Sequence, residues 1–523
     1  MNIDIELAWQ RLKKDMKEKH FVSPLYLVDV LESNCTSWLP ELKERIESKR
    51  NTPHPMEVVE IPKGRGLIRP GSLLNIEDNL AYFGLVQECY LAILNQIKWS
   101  QNVVDFSHII TPENVSSSDW FKGQLFGWNE FREQTLKKIR EGYQYIIVTD
   151  LTGFYENIDI QVLSSDLRAA GIESGIVSEL SRYLNKWTQV SNKGLPQSNS
   201  ASDLLAKLYL DSVDQGLKNA GFIHLRYVDD IRIFCNNINE AKKALIELTR
   251  LLRKRGLNIQ SGKTKILNAN EAYIEVEGIQ PIIGIVGQRF KEEMKAFELS
   301  SAYYDVEDES DEKQEQIPIA IIKQTFITYF VQGTDSNFDK TLFHYLMNRL
   351  IQELDGSFLD YCLSLLERHP EETSYILKYS RSFDEFDIDI LGHLKSMQTY
   401  LLNFLNSEEA VYNYQNYKIL LWFEDNIDTV EDKILIICRH YAFDNNRPYY
   451  LRSIARRILG RFGNIADFEK LEDQLSHISS DMERAELLCC LSKLEKGKRN
   501  AILGKYSKDG PFTEMAIPFI KGL

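Results

Sequence analysis

Two short apolar stretches in the first half of the chain have the residue pattern of β-strands that end beside acidic residues. The run Tyr145–Thr149 is rich in β-branched residues and leads directly into Asp150. Residues 225–234 form two β-rich halves around Asp229-Asp230, which predicts a strand, a tight turn and a second strand. An Asp pair is also ordinary in solvated turns, because its side chains bond nearby backbone groups. The hairpin alone therefore leaves the role of these carboxylates open.

Helical spacing around these strands predicts an α+β fold for the first half. Apolar residues recur at helical intervals in 201–217, after a Gly-Leu-Pro-Gln turn, and in 238–255, where Gly256 follows as a C-cap. Residues 61–70 read as two strands around a glycine-rich turn. Three serines at 116–118 predict the cap of a helix that begins near Asp119.

Beyond residue 316 the pattern is helical, with short breaks and few strand signals. Seven acidic residues fall within positions 305–315, a density typical of an exposed linker. We predict an α+β domain over residues 1–300, an acidic linker over 301–316 and an all-α, helical-repeat-like domain over 317–523. No repeat period can be defined cleanly.

Composition places the chain among globular proteins and limits its partners. Its 523 residues are 43% hydrophobic, which is enough for two or three domains with their own cores. A formal charge of −14 argues against indiscriminate coating of nucleic acid, which relies on clustered Lys and Arg. No apolar run could span a bilayer, and Asp4 and Glu6 lie where a signal peptide would be basic and then apolar, so we expect a cytoplasmic protein without membrane contact. The seven cysteines contain no C-x-x-C pair, so we expect reduced thiols.

The acidic strand ends are the first candidate chemistry. If the strands before Asp150 and Asp229 are neighbours, their carboxylates converge at one edge of a sheet. Carboxylate oxygens suit Mg²⁺ (or Mn²⁺), and two such ions can clamp the attacking and leaving oxygens of a phosphoryl displacement. Two unrelated strand-end aspartates are the alternative.

Two cationic segments are the second candidate. Lys63 and Arg69 flank a glycine turn that also carries Arg65, an arrangement that suits a triphosphate but is also that of a solvated basic hairpin. Residues 250–265 carry six cations and no acid, which could follow a phosphate backbone or simply suit the end of a helix.

Five motifs follow one another in a set order along the chain. They are the basic turn at 61–70, the Asp150 segment to Tyr155, Gly194-Leu195-Pro196-Gln197, Tyr227-Val228-Asp229-Asp230, and the segment from Gly256 to Lys265. Their order and spacing resemble the successive motifs of reverse transcriptases over about residues 55–270. The resemblance implies a fingers and palm fold followed, in this chain, by the helical domain.

The resemblance also implies roles for particular residues. The catalytic and metal-binding carboxylates would be Asp150, Asp229 and Asp230, with the Leu151 carbonyl as a further oxygen ligand. The residues expected around the incoming deoxynucleotide (dNTP), its triphosphate, its sugar, the template or the leaving pyrophosphate are Lys63, Arg65, Arg69, Tyr155, Gln197 and Lys263. Tyr155 falls where an aromatic ring excludes a 2′-hydroxyl.

Departures from the usual reverse transcriptase pattern point to one subgroup of the family. Ser198 stands where a glycine usually follows Leu-Pro-Gln, and the residues after Lys265 show neither a primer grip nor a basic thumb. A palm followed by a helical domain in place of the thumb, with Asp119-Trp120-Phe121 ahead of the first catalytic aspartate, resembles the abortive-infection reverse transcriptases of bacterial anti-phage defence.

That subgroup implies DNA synthesis without a template, primed from a protein hydroxyl, by a homo-oligomer. The single-stranded DNA product could then stay covalently attached to the chain. Among 25 tyrosines, Tyr26 is our candidate primer. A templated reverse transcriptase that uses a bound non-coding RNA is the main alternative, and a nucleic-acid-binding scaffold without catalysis is a remote one.

Overall fold

Among the residues that the structure describes, two β-sheets lie in the first half of the chain and helices follow in the second half. The computed structural model describes residues 2–22, 27–277, 319–333, 338–381, 390–426 and 432–522. An antiparallel hairpin is formed by β1 (Glu57–Lys63) and β2 (Leu67–Leu73). A second antiparallel sheet has the order β4-β5-β3-β6, and its strands are β3 (Tyr145–Thr149), β4 (Ile223–Tyr227), β5 (Asp230–Cys235) and β6 (Lys265–Asn268).

Helices surround both sheets. Those described before residue 278 are α1 (Ile5–Glu18), α2 (Leu27–Glu32), α3 (Cys35–Glu47), α4 (Ile76–Gln87), α5 (Tyr90–Ile97), α6 (Gln124–Arg140), α7 (Phe154–Asn157), α8 (Ile160–Ala169), α9 (Ser174–Trp187), α10 (Ser200–Asn219), α11 (Ile238–Lys254) and α12 (Ala269–Glu277). Those described after residue 318 are α13 (Ile319–Phe326), α14 (Lys340–Gln352), α15 (Leu359–Arg368), α16 (Thr373–Arg381), α17 (Ile390–Leu405), α18 (Asn413–Asn426), α19 (Asp432–Phe443), α20 (Tyr449–Phe462), α21 (Ile465–Leu475), α22 (Asp481–Cys490), α23 (Lys496–Lys505) and α24 (Pro511–Gly522). Short 3-10 turns cover Pro112–Ser116 and Pro370–Glu372, and a π-helical turn covers Ile327–Val331.

The central helix of the first half is α10. Every residue from Ser200 to Asp211 is buried, and the helix packs against β4, α4, α5, α8 and α11. A charge buried in this way is costly unless it is paired. Of its buried charged residues, Asp203, Lys207 and Asp214 each have an ion-pair partner, and Asp211 accepts hydrogen bonds from Gln96 and Trp99.

The second sheet is covered by α11, as its amphipathic pattern predicts. Its buried residues Ala241, Ala244, Leu248 and Leu252 recur every three or four positions and face β3 and β5. After the helix, Gly256 has a φ of 73°, a left-handed conformation that glycine adopts without steric cost. The C-cap predicted from the sequence is therefore in place.

The C-terminal helices contact the β1–β2 hairpin and the N-terminal helices. Both α18 and the turn Pro370–Glu372 pack against β1, and the Tyr449 N–H donates a 3.1 Å hydrogen bond to the Glu57 carboxylate. At the far end of the chain α24 packs on α2, where Asn34 donates to the Met515 carbonyl over 3.3 Å. The C-terminal helices thus brace the hairpin from outside, a contact that the sequence pattern does not predict.

The fold class predicted from the sequence is confirmed in its elements: an α+β first part is followed by many helices. The helix predicted near Asp119 is wrong, because α6 begins only at Gln124. The Asp119 N–H instead bonds the Ser117 hydroxyl over 3.0 Å, so the serine closes a local turn. The acidic linker over 301–316 lies outside the described residues, and the proposed domain boundaries stay a prediction.

Among the helices that the structure describes, none combines the length and the apolar character needed to cross a lipid bilayer.

Candidate active site

Three carboxylates meet at one end of the second sheet. Strands β3 and β5 are antiparallel neighbours in which Thr149 pairs with Ile231. Asp150 follows the last residue of β3 and Asp230 is the first residue of β5, so the two aspartates come side by side. Asp229 lies beside them in the two-residue turn between β4 and β5. The structure brings together all three aspartates singled out in the sequence.

The turn that carries Asp229 is strained. Val228 precedes it with a φ of 53°, in the left-handed region where a β-branched residue is rarely found. Strain of this kind costs on the order of 1–3 kcal/mol and persists only where the surroundings enforce it. Here the Arg226 guanidinium donates a 3.1 Å hydrogen bond to the Val228 carbonyl from below the turn.

Arg226 is itself held in a buried ion cluster that sequence reasoning missed. Its Nε and Nη2 donate to the Asp214 carboxylate over 3.0 and 2.7 Å, and Nη2 lies 3.0 Å from Asp105, which also accepts from Lys207. Burial raises the pKa of Asp105 and of Asp214, but the surrounding cations outweigh it and hold both pKa values below their usual range. The one sequence signal was an arginine inside the apolar run next to the Asp pair.

The segment 260–264, which contains Lys263, contacts Thr149 and Asp150. The Gln260 N–H donates to the Asp150 carbonyl over 2.7 Å, and the Thr264 and Thr149 hydroxyls lie 2.7 Å apart. Lys263 Nζ donates to Oδ2 of Asp150. Burial lowers the pKa of Lys263, but the bond to Asp150 and the nearby aspartates outweigh it, so the pKa is raised overall.

Asp230 is a buried carboxylate with a raised pKa. Its burial and then the charge of Asp150 raise its pKa to about 6, against the smaller opposing effects of Arg232 and Lys263. A carboxyl whose pKa is raised beside a second carboxylate has the chemistry of a cation site, since a cation bound between Asp230 and Asp150 would relieve their repulsion.

The donor set fits a hard divalent ion. Magnesium is commonly held by one or two carboxylates and completes its shell with water and substrate phosphates. The bridge between Leu151 and Ile259 uses the Asp150 carbonyl and the Thr152 N–H, and so does not engage the Leu151 carbonyl. Within the described ranges no group of three or more His, Cys, Asp and Glu side chains is arranged around a common metal position.

Lys63 of the basic hairpin lies close enough to the carboxylates for their charges to affect its pKa. Lys63 pairs with Leu67 and Ile61 with Arg69, so Lys63 and Arg69 share one face of the hairpin. Arg65 lies in the turn with a φ of 67°. The pKa of Lys63 is lowered by burial, then by Arg69 and Lys263, while Asp150 and Asp229 act in the opposite direction. All three hairpin cations are exposed.

Tyr155 and Gln197 are joined through the Leu-Pro-Gln turn. The Leu195 N–H donates to the Tyr155 carbonyl over 2.9 Å, and the Gln197 side chain donates to Glu156 over 3.2 Å. The Gln197 N–H donates to the Ser72 hydroxyl of β2 over 2.9 Å, which connects this turn to the hairpin. Tyr155, Gln197 and the hairpin cations therefore belong to one connected part of the structure.

Ser198 shows why a glycine is usual at its position. Its φ is 60°, in the left-handed region that glycine enters most easily. The Ser198 hydroxyl donates to the Lys19 carbonyl of the α1 C-cap, a bond that glycine could not make.

Cations of the run 250–265 pair with carboxylates in different parts of the structure. Arg255 pairs with Asp166 and packs on Tyr209, Lys263 binds Asp150, and Lys265 pairs with Glu275. A role of this run in following a phosphate backbone stays a prediction. Tyr26, the candidate primer, lies outside the described residues.

Residues 61–314 match the family model described as reverse transcriptase (RNA-dependent DNA polymerase). The match covers slightly less than half of the chain and includes every site residue from Lys63 to Lys263. This part of the chain is a polymerase domain of the reverse-transcriptase type. No curated protein sequence matches the chain.

Solved structures with detectable similarity include yeast telomerases. Apo telomerase from Candida tropicalis truncated from its C-terminal domain is 15% identical over 41% of this chain and 50% of its own, with a TM-score of 0.30. Telomerase from Candida albicans in complex with a TWJ fragment of telomeric RNA is 11% identical over 74% and 68%, with a TM-score of 0.31. Full apo telomerase from C. tropicalis is 13% identical over 89% and 69%, also with a TM-score of 0.31. The chain thus spans only half the length of the first of these proteins.

Removing Asp214 should strongly destabilise the first half of the protein. The substitution Asp214→Ala leaves the Arg226 guanidinium buried with one carboxylate fewer, and breaking a buried ion pair costs about 3–5 kcal/mol. Urea unfolding followed by tryptophan fluorescence measures the loss. Glu41→Ala, at an exposed helix pair, should cost about 0.5 kcal/mol or less. Equal midpoints for the two variants would contradict the role of the cluster.

Replacing Asp230 by its neutral isostere should stabilise the protein at neutral pH. The raised pKa means that the stabilisation from this group is present below a pH of about 4, the usual Asp value, and is lost as the pH rises through about 6. In metal-free buffer Asp230→Asn should therefore have a higher thermal midpoint than the wild type at pH 7.5. The difference should shrink at pH 5, where the wild-type carboxyl is largely protonated. A midpoint at pH 7.5 that is unchanged or lower would show that burial and the charge of Asp150 do not destabilise the ionised Asp230 carboxylate.

Proposed function

We propose that this chain is a metal-dependent nucleotidyltransferase that polymerises deoxynucleotides with the catalytic residues Asp150, Asp229 and Asp230. The observation that carries the proposal is the meeting of these three carboxylates at one sheet end, with Lys263 bound to the first of them. A matching reverse transcriptase domain over the same residues supports the reaction class.

In this mechanism two divalent ions, Mg²⁺ or Mn²⁺, would be held by Asp150, Asp229 and Asp230 with the Leu151 carbonyl. Such ions supply activation of the attacking hydroxyl and charge neutralisation on the leaving pyrophosphate. Lys63 contributes a point charge to the triphosphate and Arg69 a bidentate fork, with Arg65 on the turn between them.

The remaining nucleotide-binding residues complete the arrangement. The raised pKa of Lys263 keeps its ammonium charged at neutral pH, which suits it to compensate the charge of the leaving pyrophosphate. The Tyr155 ring lies against the sugar and favours deoxynucleotides. Gln197 contacts the nucleotide or template strand.

We further propose that synthesis is untemplated, starts from a hydroxyl of the protein itself, and serves abortive infection against phage in the cytoplasm. The motif order, Ser198 at the usual glycine position and the helices after residue 318 support this assignment, because the same combination resembles the abortive-infection reverse transcriptases. The product would be single-stranded DNA attached to a homo-oligomer of the chain.

A templated reverse transcriptase that copies a bound non-coding RNA is the second candidate. It is favoured by the description of the matching family model as an RNA-dependent DNA polymerase. The two candidates share the active site and differ in whether an RNA template directs nucleotide choice.

The purified, nuclease-treated chain should make DNA from dNTPs and Mg²⁺ without added nucleic acid. On a denaturing gel the product should remain with the protein until protease is added. The variant Asp229→Ala/Asp230→Ala should lose synthesis by about 10³-fold or more, since metal-borne charge stabilisation is worth several kcal/mol.

Two other results would redirect the proposal. Synthesis that requires added or co-purified RNA would favour the templated candidate. Undiminished phage protection by the Asp229→Ala/Asp230→Ala chain would favour a scaffold that acts without catalysis.

Tyr26→Phe should abolish the attachment of product to the protein, because the phenyl ring cannot supply the priming hydroxyl. Tyr273→Phe is the matched control, since Tyr273 is 41% exposed on α12 and should retain attached product. Mass spectrometry of the protease-treated product identifies the linked residue. Attachment at a residue other than Tyr26 would refute this choice of primer.

A further inference from the structure

The hydroxyl of Tyr155 is hydrogen-bonded to a buried carboxylate of α10. It donates a 2.6 Å hydrogen bond to Oδ1 of Asp203, a residue of α10 that is 4% exposed. The Tyr155 ring packs edge-on against Phe154 with centroids 5.3 Å apart. Backbone and ring position are thus fixed at one end by the Leu195 bond and at the other by Asp203.

Asp203 is held so that it cannot turn away from the tyrosine. Lys19 Nζ donates to its other oxygen, Oδ2, over 2.8 Å, and the His108 ring nitrogen lies 3.9 Å from the same oxygen. Burial raises the pKa of Asp203, but Lys19 and His108 outweigh it and leave the pKa below its usual range. An ionised carboxylate with each oxygen already engaged presents a fixed acceptor to Tyr155.

Lys19 reaches this position because α1 is tied to the start of α10. Asp15 of α1 accepts from the Ser200 N–H over 2.7 Å and from the Ser200 hydroxyl over 2.8 Å. Lys19 follows as the C-cap of α1, and its side chain is only 6% exposed. The N-terminal helix is therefore part of the support for Tyr155, although it lies far from it in sequence.

We propose that Asp203 and Lys19 are positioning residues that hold the Tyr155 ring at the angle needed to exclude a ribonucleotide. The inference rests on the proposed function and deepens it, since it assigns sugar discrimination to an anchored ring and not to ring size alone. A phenylalanine at position 155 has the size but lacks the anchor.

Single-nucleotide incorporation kinetics of the full chain test this assignment. The measured quantity is the ratio of kcat/KM for dATP to kcat/KM for ATP. Tyr155→Phe and Asp203→Asn should each lower the ratio by about 10-fold or more, which is the effect expected for one hydrogen bond to a charged group. The dATP turnover itself should change less than the ratio, and Lys19→Gln should shift the ratio in the same direction.

The double variant and a matched control separate positioning from general damage. Tyr155→Phe/Asp203→Asn should lose no more discrimination than either single variant, because both remove the same contact. Asp211→Asn, at a carboxylate of the same helix that is also 4% exposed and bonds Trp99 and Gln96, should leave the ratio unchanged.

The outcome that contradicts this inference differs from the outcome that contradicts the proposed function. A wild type that discriminates, with variants that discriminate equally well or with Asp211→Asn shifted to the same extent, would overturn this inference and leave the proposed function standing. A wild type that incorporates neither nucleotide would overturn the proposed function and this inference with it.

Discussion

The buried guanidinium of Arg226 is the constraint on which the candidate site depends. It donates a hydrogen bond to the carbonyl of Val228, the residue before Asp229 in the turn. Asp105 and Asp214 neutralise it from two separate parts of the chain, the segment beside β4 and the helix α10. Because a buried charge must be paired, these elements can pack only where their carboxylates reach Arg226. The same packing holds an unfavourable turn in place at the position where the chemistry is proposed.

The backbone strain at Val228 and the raised pKa of Asp230 both cost folding free energy, which the rest of the fold offsets. Val228 is held in a conformation that its side chain disfavours, and burial together with the nearby charge of Asp150 raises the pKa of Asp230 to about 6. Neither feature helps the chain to fold. Strain and like-charge crowding confined to one sheet end are typical of a site arranged for a ligand and not for stability.

Support for this sheet end comes from both ends of the chain. The N-terminal helix α1 anchors the start of α10 through Asp15 and contributes Lys19. The C-terminal helices contact the β1–β2 hairpin, where Tyr449 bonds Glu57. The hairpin that carries Lys63 is thus fixed by helices which come several hundred residues later, so its position relative to the carboxylates depends on the C-terminal part.

The sequence by itself determined the local conformations and the candidate residues. The β-branched runs before Asp150 and around Asp229 fix strands, and Gly256 fixes the end of α11, because these signals act over a few residues. Only the tertiary structure decided that Asp150 and Asp230 are adjacent, since this depends on the register between β3 and β5. It also decided that Lys19 reaches Asp203, 184 positions away. Buried ion pairs of this kind leave no periodic trace in a sequence, because each charge is placed by the packing of its own element.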